Sequence, residues 1–227
     1  MEEKQLLKAI REYLDPTMAK YGYKFNSKLG SYLRIDGITE LYFEISLSFM
    51  DYVSYVSGKK TKYLEIYTNV YHKNISQLLL EHSSRKFLGS LYYFKLIGNL
   101  LSDIVLNKDN SEYTSRSNHN YFKIIFESDD EINSYADKIL QIIELEAIPF
   151  FCKVDTLEKI KDILDTNYSF DCVYHNIFTE RLLVLAVLLY KLNDPEKEIK
   201  LLNIENVLNK TRNSEALLEL IALNLGN

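Results

Sequence analysis

The chain has 227 residues, 47% apolar and 26% charged, with only 3 Pro and 7 Gly. That is the composition of an ordinary globular protein, and it excludes a disordered chain or a Pro- or Gly-rich linker array. Net charge is −5: residues 1–126 hold 17 Lys and Arg against 13 Asp and Glu, and residues 127–227 hold 10 against 19, an acidic balance that argues against nucleic acid or a membrane surface as partner of the whole chain.

The opening Met1-Glu2-Glu3-Lys4-Gln5 is polar and leads into an amphipathic pattern, unlike a secretory signal. The longest apolar run, Leu182 to Tyr190, is too short to cross a bilayer and reads as a buried core helix. Two cysteines in a chain of this length point to a reducing, cytoplasmic setting with free, buried thiols.

Leu6, Leu7, Ile10, Tyr13, Leu14, Met18 and Tyr21 recur at helical spacing and predict an amphipathic helix over residues 3–21. Gly22 stands where a left-handed C-terminal cap belongs, and Pro16 marks a kink or the last straight turn. The period then changes to two. Tyr23–Leu29 and Ser31–Ile35 read as short strands, and Asp36-Gly37 as a two-residue hairpin turn, because both positions of a type I′ turn need positive φ. Leu41, Phe43, Ile45, Leu47 and Phe49 alternate with Tyr42, Glu44, Ser46 and Ser48, giving a strand with one core face and one polar face. After a turn at Gly58-Lys59-Lys60, Leu64, Ile66, Thr68 and Val70 alternate with Tyr63, Glu65, Tyr67, Asn69 and Tyr71. Four strands with short connections make an antiparallel meander.

Residues 72–106 fit neither period cleanly: Leu91–Ile97 has strand composition, while Asn99–Leu106 suits a helix. Asn107–Asn120 is an extended polar loop, and Tyr121–Phe126 returns to strand alternation. Ser128-Asp129-Asp130-Glu131 is a capping box. The helix it opens has the stripe Ile132, Ala136, Ile139, Leu140, Ile143 and Ala147 and ends at Pro149. Asp155-Thr156-Leu157-Glu158 opens another helix, residues 178–192 are apolar nearly all round and so central, Asp194-Pro195 caps the next, and Asn213-Ser214-Glu215 starts the last. The expectation is a single α+β domain over residues 1–227. An antiparallel β-meander of four to six strands with an N-terminal helix fills 1–126, and a C-terminal helical bundle packed on it fills 127–227.

Tyr21-Gly22-Tyr23-Lys24-Phe25 at the end of the first helix, the four meander strands, and a helix closing on Ala147-Ile148-Pro149-Phe150-Phe151 resemble an uncharacterised bacterial domain-of-unknown-function family. There the helix running into a Pro-Phe pair is followed by a short helix and helical hairpins, an order matched by Lys153-Val154-Asp155-Thr156-Leu157-Glu158 and the helical patterns after it. Members often carry a paired tryptophan before the last strand; this chain has no Trp. The motifs are packing and capping motifs, so the resemblance implies a fold over most of the chain and brings no catalytic residue.

Cys152, Cys172 and His175 offer one Cys-x-x-His step and a distant Cys, whereas a tetrahedral zinc site shows two close ligand pairs. No metal site is assigned, and Cys152, following Ile148-Pro149-Phe150-Phe151, reads as a buried thiol. His72, His82, His119 and His175 fall in loops or at element ends, and no Gly-x-Ser-x-Gly elbow, phosphate-binding loop or His-Glu-x-x-His is present. Asp109, Glu112, Arg116 and His119 are residue types capable of acid–base work, and their loop stands as a binding-loop candidate. Tyr63, Tyr67 and Tyr71 fall on one side of a strand, with Tyr42 on the strand before and Lys59, Lys60, Lys62 and Lys73 nearby. Rings with cations suit single-stranded nucleic acid, yet Glu40, Glu44 and Glu65 lie on the same strands. Tyrosine equally supplies contact area at protein interfaces, and a helix or loop crossing that face turns the same rings into core.

Together these features point to a non-catalytic protein-interaction module, cytoplasmic, of bacterial or phage origin, with an immunity or defence-accessory role. It works without cofactor, through a protein partner or self-association, and its interaction candidates are Tyr63, Tyr67, Tyr71 and Tyr42. The alternatives are a single-stranded nucleic-acid-binding domain and an enzyme with a non-motif active site near residues 107–120.

Overall fold

A computed structural model describes residues 3–53, 58, 60–76, 95–101, 124–126, 132–165 and 178–208. Helix α1 (Glu3–Lys20) buries Leu6, Ile10, Leu14 and Met18, so the apolar stripe narrows to a four-residue step and leaves Tyr13 and Tyr21 exposed. Pro16 lies inside the helix without ending it. The C-terminus closes as a Schellman turn: Tyr23 N–H donates to the Met18 carbonyl and Gly22 N–H to Ala19, both at 3.0 Å, with Gly22 at φ +80°.

Strands β1 (Lys24–Asn26), β2 (Ser31–Ile35), β3 (Leu41–Val53) and β4 (Lys60–His72) are neighbours in sequence order, which is the predicted meander. With β5 (Ile97–Leu100) and β6 (Ile124–Phe126) they form a six-stranded antiparallel sheet in a mixed α+β fold. Both short strands pair with β4, which is long enough to serve them separately. β6 runs against Lys62–Leu64, and the chain enters β5 through Leu96 N–H donating to the Val70 carbonyl at 2.8 Å.

Three local expectations are corrected. β1 stops early because the Asn26 carbonyl Oδ1 accepts the Lys28 and Leu29 N–H groups at 3.0 and 3.2 Å, turning the chain before Leu29. The β2–β3 connection is not a two-residue Asp-Gly turn: the Asp36 carboxylate accepts the Ile38 N–H at 2.9 Å, and Glu40 rather than Gly37 takes positive φ, at 55°. Asp carries its own acceptor, so an Asx turn competes with the type I′ geometry. Asn99 and Leu100, helical by pattern, belong to β5, where Gly98 at φ +140° lies so close to β4 that a Cβ would collide with the Thr68 carbonyl and Asn69. Leu91–Phe94, the 107–120 loop, the capping box at 128–131 and the helix start at 213–215 lie outside the described residues.

The chain divides into two compact units, Met1–Ile35 with Phe43–Asn69 and Gly98–Cys152, and Asp36–Tyr42 with Val70–Ile97 and Lys153–Asn227. In the first, α1 packs along α2 (Ile132–Ile142), which buries Ala136, Ile139 and Ile142. The helical path then continues through a π turn (Ile143–Ala147) into α3 (Ile148–Lys153), so Pro149 does not end it. Ile148 N–H reaches back to the Ile143 carbonyl, and this wider turn precedes a residue that has no N–H of its own. Phe151 is thereby set 5.3 Å from Phe43 and 6.2 Å from Tyr23, ring centre to ring centre. Cys152, one residue further round, is exposed rather than buried. α1 is fastened to the sheet by Asp15, which accepts from Tyr32 Oη at 2.6 Å and from Arg11 at 3.0 Å, while Arg11 lies 3.6 Å over the Phe25 ring.

The second unit contains α4 (Leu157–Asp165), α5 (Phe178–Lys191) and α6 (Lys197–Leu208), with α5 packing against both others. Thr156 Oγ1 caps α4 by accepting the Lys159 N–H at 3.3 Å. α5 is buried nearly all round, from Arg181 and Leu182 through Val184 to Leu189. At the α5–α6 turn the Asp194 carboxylate accepts the Glu196 N–H at 2.9 Å and the Lys161 ammonium at 2.6 Å, and Lys200 reaches Asp165 at 2.6 Å. The Lys161 hydrogen bond, against the cost of burial, holds the Asp194 carboxyl down at about 2.

Two measurements test this packing. Gly98→Ala should cost at least about 2 kcal/mol in urea unfolding, because the residue meets both an unfavourable φ and a backbone wall; an unchanged midpoint would contradict the close approach. Asp194 has a lower pKa folded than unfolded, so its contribution is complete at neutral pH and is lost as pH falls from roughly 4 to 2. Asp194→Asn should lower stability at pH 7 by about 1.5–3 kcal/mol and flatten the acid limb of the stability curve. Parallel acid limbs in wild type and variant would show that the carboxylate is not paired.

Candidate functional site

Alternation puts Leu64, Ile66, Thr68 and Val70 on the buried side of β4 and Tyr63, Glu65, Tyr67, Asn69 and Tyr71 on the other, each half-buried. On β3, Leu41, Phe43, Ile45, Leu47 and Phe49 are buried opposite Tyr42, Glu44, Ser46 and Ser48. Glu44 departs from a solvated polar face, being only 8% exposed. Ser31 Oγ on β2 donates to its Oε1 at 2.7 Å, and Asn69 Nδ2 on β4 donates to its Oε2 at 2.9 Å. One carboxylate therefore bridges three neighbouring strands.

Glu65 is held differently, along its own strand. Tyr63 Oη donates to Oε1 at 3.1 Å and Tyr67 Oη to Oε2 at 2.7 Å. The donors stand two residues before and two after, so both rings lean along β4 toward a single carboxylate. Both donors are neutral hydroxyls, and no cation among the described residues pairs with Glu65. Burial first, then the charge and hydrogen bond of Glu65, raise the Tyr63 phenol above its ordinary pKa and keep it a donor.

The lysines that flank these tyrosines in sequence do not share their face. Lys62 pairs with Asp51 at 2.9 Å and approaches Glu3 at 3.9 Å on the α1 side of the sheet, and Lys60 has the same strand parity. Lys73 is exposed beyond the strand end, and Lys59 lies outside the described residues.

Of the interaction candidates, Tyr63 and Tyr67 are brought together through Glu65. Tyr71 and Tyr42 keep the same parity on their strands and are half-buried in the second unit. Asp109, Glu112, Arg116 and His119 lie outside the described residues, as do Cys172 and His175. Ser31 and Asn69 were not singled out by sequence reasoning. Their parity with Glu44 was visible, but the strand register that makes them donors was not. His72, at the end of β4 in the second unit, is 3% exposed with Nε2 3.7 Å from Glu40; burial and Lys191 lower its pKa despite that carboxylate.

Among the described residues no three His, Cys, Asp or Glu side chains cluster to hold a metal, and no helix is long and apolar enough to cross a membrane. Compared with family models, curated proteins and solved structures, the chain gives no match.

The Tyr63–Glu65 bond is open to direct titration. Carbon-13 NMR of the phenol carbons should show Tyr63 titrating above an unperturbed tyrosine, and Glu65→Gln should bring it down toward the ordinary value of about 10. An unmoved Tyr63 pKa in the variant would contradict the coupling.

Proposed function

We propose that the chain is a non-catalytic protein-interaction module whose contact surface is the Tyr63–Glu65–Tyr67 face of β4. The observation that carries this reading is the convergence of two tyrosine hydroxyls on one carboxylate. It fixes two aromatic rings on a central strand before any partner arrives, and ordering that is already complete does not have to be repeated on binding. Tyrosines held this way offer large amphipathic area at a surface that still meets water.

A protein partner is favoured over nucleic acid by sign. Glu44 and Glu65 stand on this face while Lys60 and Lys62 stand on the other, so a phosphate backbone would meet repulsion among the rings. The bacterial or phage origin, for which the resemblance at Tyr21–Phe25 and Ala147–Phe151 speaks, the cytoplasmic setting, for which the two cysteines speak, and the immunity or defence-accessory role are part of the same proposal.

Light scattering on the purified chain, alone and with proteins co-purified from its native host, tests the reading. Association with itself or a host protein is expected, and Tyr63→Ser with Tyr67→Ser should abolish it while lowering Tm by only about 2–4 °C. Intact association in the double variant, with a fall of many degrees, would return both rings to the core.

A further inference from the structure

Arg34 on β2 shares the parity of Tyr32, which bonds to α1, and is half-buried on that side of the sheet. Its guanidinium carbon lies 4.4 Å from the centre of the Phe43 ring and 5.4 Å from that of Tyr23. Its stem runs beside Gly22, where a Cβ would stand 3.5 Å from Cδ. Three neighbours thus fix the side chain, and two of them are rings that favour a cation. Yet the guanidinium makes no hydrogen bond or ion pair, and its Nε–H is buried without an acceptor. Arg11 shows the contrast: it takes a similar seat over Phe25 at 3.6 Å but closes on Asp15 at 3.0 Å. The Tyr23 hydroxyl is also buried without a partner, whereas that of Tyr32 has Asp15. Burial raises the Tyr23 pKa, and the opposing Arg34 charge is felt at the phenol. Donors gather in this corner, and no acceptor among the described residues answers them. Capping of α1 does not account for Arg34, because the Met18 and Ala19 carbonyls already accept from the Tyr21, Tyr23 and Gly22 N–H groups.

We infer that the Nη edge of Arg34 is a binding site for a single carboxylate, brought by an acidic side chain of a partner or by a small carboxylic acid. Nε is buried, so the Nη pair is the edge open to solvent, and its two parallel N–H groups match the two oxygens of a carboxylate. A seat already fixed by Phe43, Tyr23 and Gly22 has little ordering left to undergo on binding. Phosphate fits less well: one fork leaves its remaining oxygens and second charge unmet, and the negative end of α1 at Gly22 opposes a dianion. The surroundings favour a monoanion by sign. Lys20 and Lys24, two residues to either side of Gly22, are exposed and pair with no carboxylate. Glu144 is turned to the Tyr21 hydroxyl at 3.0 Å. The site lies on the opposite side of the sheet from Tyr63, Glu65 and Tyr67 and is independent of them.

The probe is sodium acetate, titrated into the nitrogen-15-labelled full chain against sodium chloride at matched ionic strength. The Arg34 Nε–H signal, assigned by its loss in Arg34→Lys, should move and saturate with acetate in the millimolar range and stay in place with chloride. Arg34→Lys keeps the charge and loses the fork, so acetate binding read at the Gly22 amide should weaken at least about tenfold. Inorganic phosphate should bind no more tightly than acetate. The peptide acetyl-Gly-Ser-Glu-Ser-Gly-amide, with its glutamine counterpart as control, separates the two sources. Glutamate-dependent binding at least about tenfold tighter than acetate assigns a partner's side chain, and equal or weaker binding assigns a small acid. Acetate indistinguishable from chloride, acetate binding unchanged in folded Arg34→Lys, or phosphate at least about tenfold tighter than acetate overturns the inference. If the variant fails to fold, the acetate, chloride and phosphate comparison on the wild-type chain decides alone.

Discussion

A carboxylate taken out of water must be given donors, and on this sheet that requirement falls on Glu44. Its two oxygens are met by Ser31 from β2 and Asn69 from β4, so the three strands are held in one register by a single side chain. A slip of one residue in either pairing would turn the donor to the opposite face and strand the charge. Everything else on that face inherits its position from this register: Tyr63, Glu65 and Tyr67 stand where they do because Asn69, further along the same strand, is pinned to β3.

The charged groups divide by what satisfies them. Lys161, Lys200, Asp165 and Asp194 answer one another around the ends of α4, α5 and α6, and the Asp194 side chain is 3% exposed. Arg11, Asp15 and Tyr32 do the same between α1 and β2. These are cation–carboxylate arrangements closed within a unit, and their effect is to fasten helices. The Tyr63–Glu65–Tyr67 group is instead ordered by two neutral hydroxyl donors along one strand, as Glu44 is by Ser31 and Asn69 across three.

Backbone exceptions also follow from packing. The π turn at Ile143–Ala147 lets a helix pass through Pro149 and carry Phe151 to Phe43 and Tyr23, and the Tyr21 hydroxyl closes on Glu144 in that turn at 3.0 Å. Gly98 permits β5 to come close against Thr68 and Asn69, the residue that also holds Glu44. A wider helical turn and a missing side chain thus serve the same core.

The order of elements was legible in the sequence. Period and caps by themselves determined α1 with its glycine cap, the β1–β4 meander, the alternation of Leu41–Phe49 and Leu64–Val70, the Thr156 start of α4 and the burial of α5, because each depends on residues near in the chain. The same alternation determined that Tyr63, Glu65 and Tyr67 share a face, which is half of the candidate site. Only tertiary structure decided the rest. That Leu7 is only half-buried and Tyr13 and Tyr21 are exposed depends on the breadth of the surface that α1 meets, and Cys152 is exposed while Phe151 takes the inward position. That Glu44 is clasped by Ser31 and Asn69, and that Lys62 turns away to Asp51 and Glu3, depends on register and on partners distant in the chain. Periodicity assigns a side chain to a face; its hydrogen-bond partner is set by which strands lie beside it and how far each has slid, and that is a property of the assembled sheet.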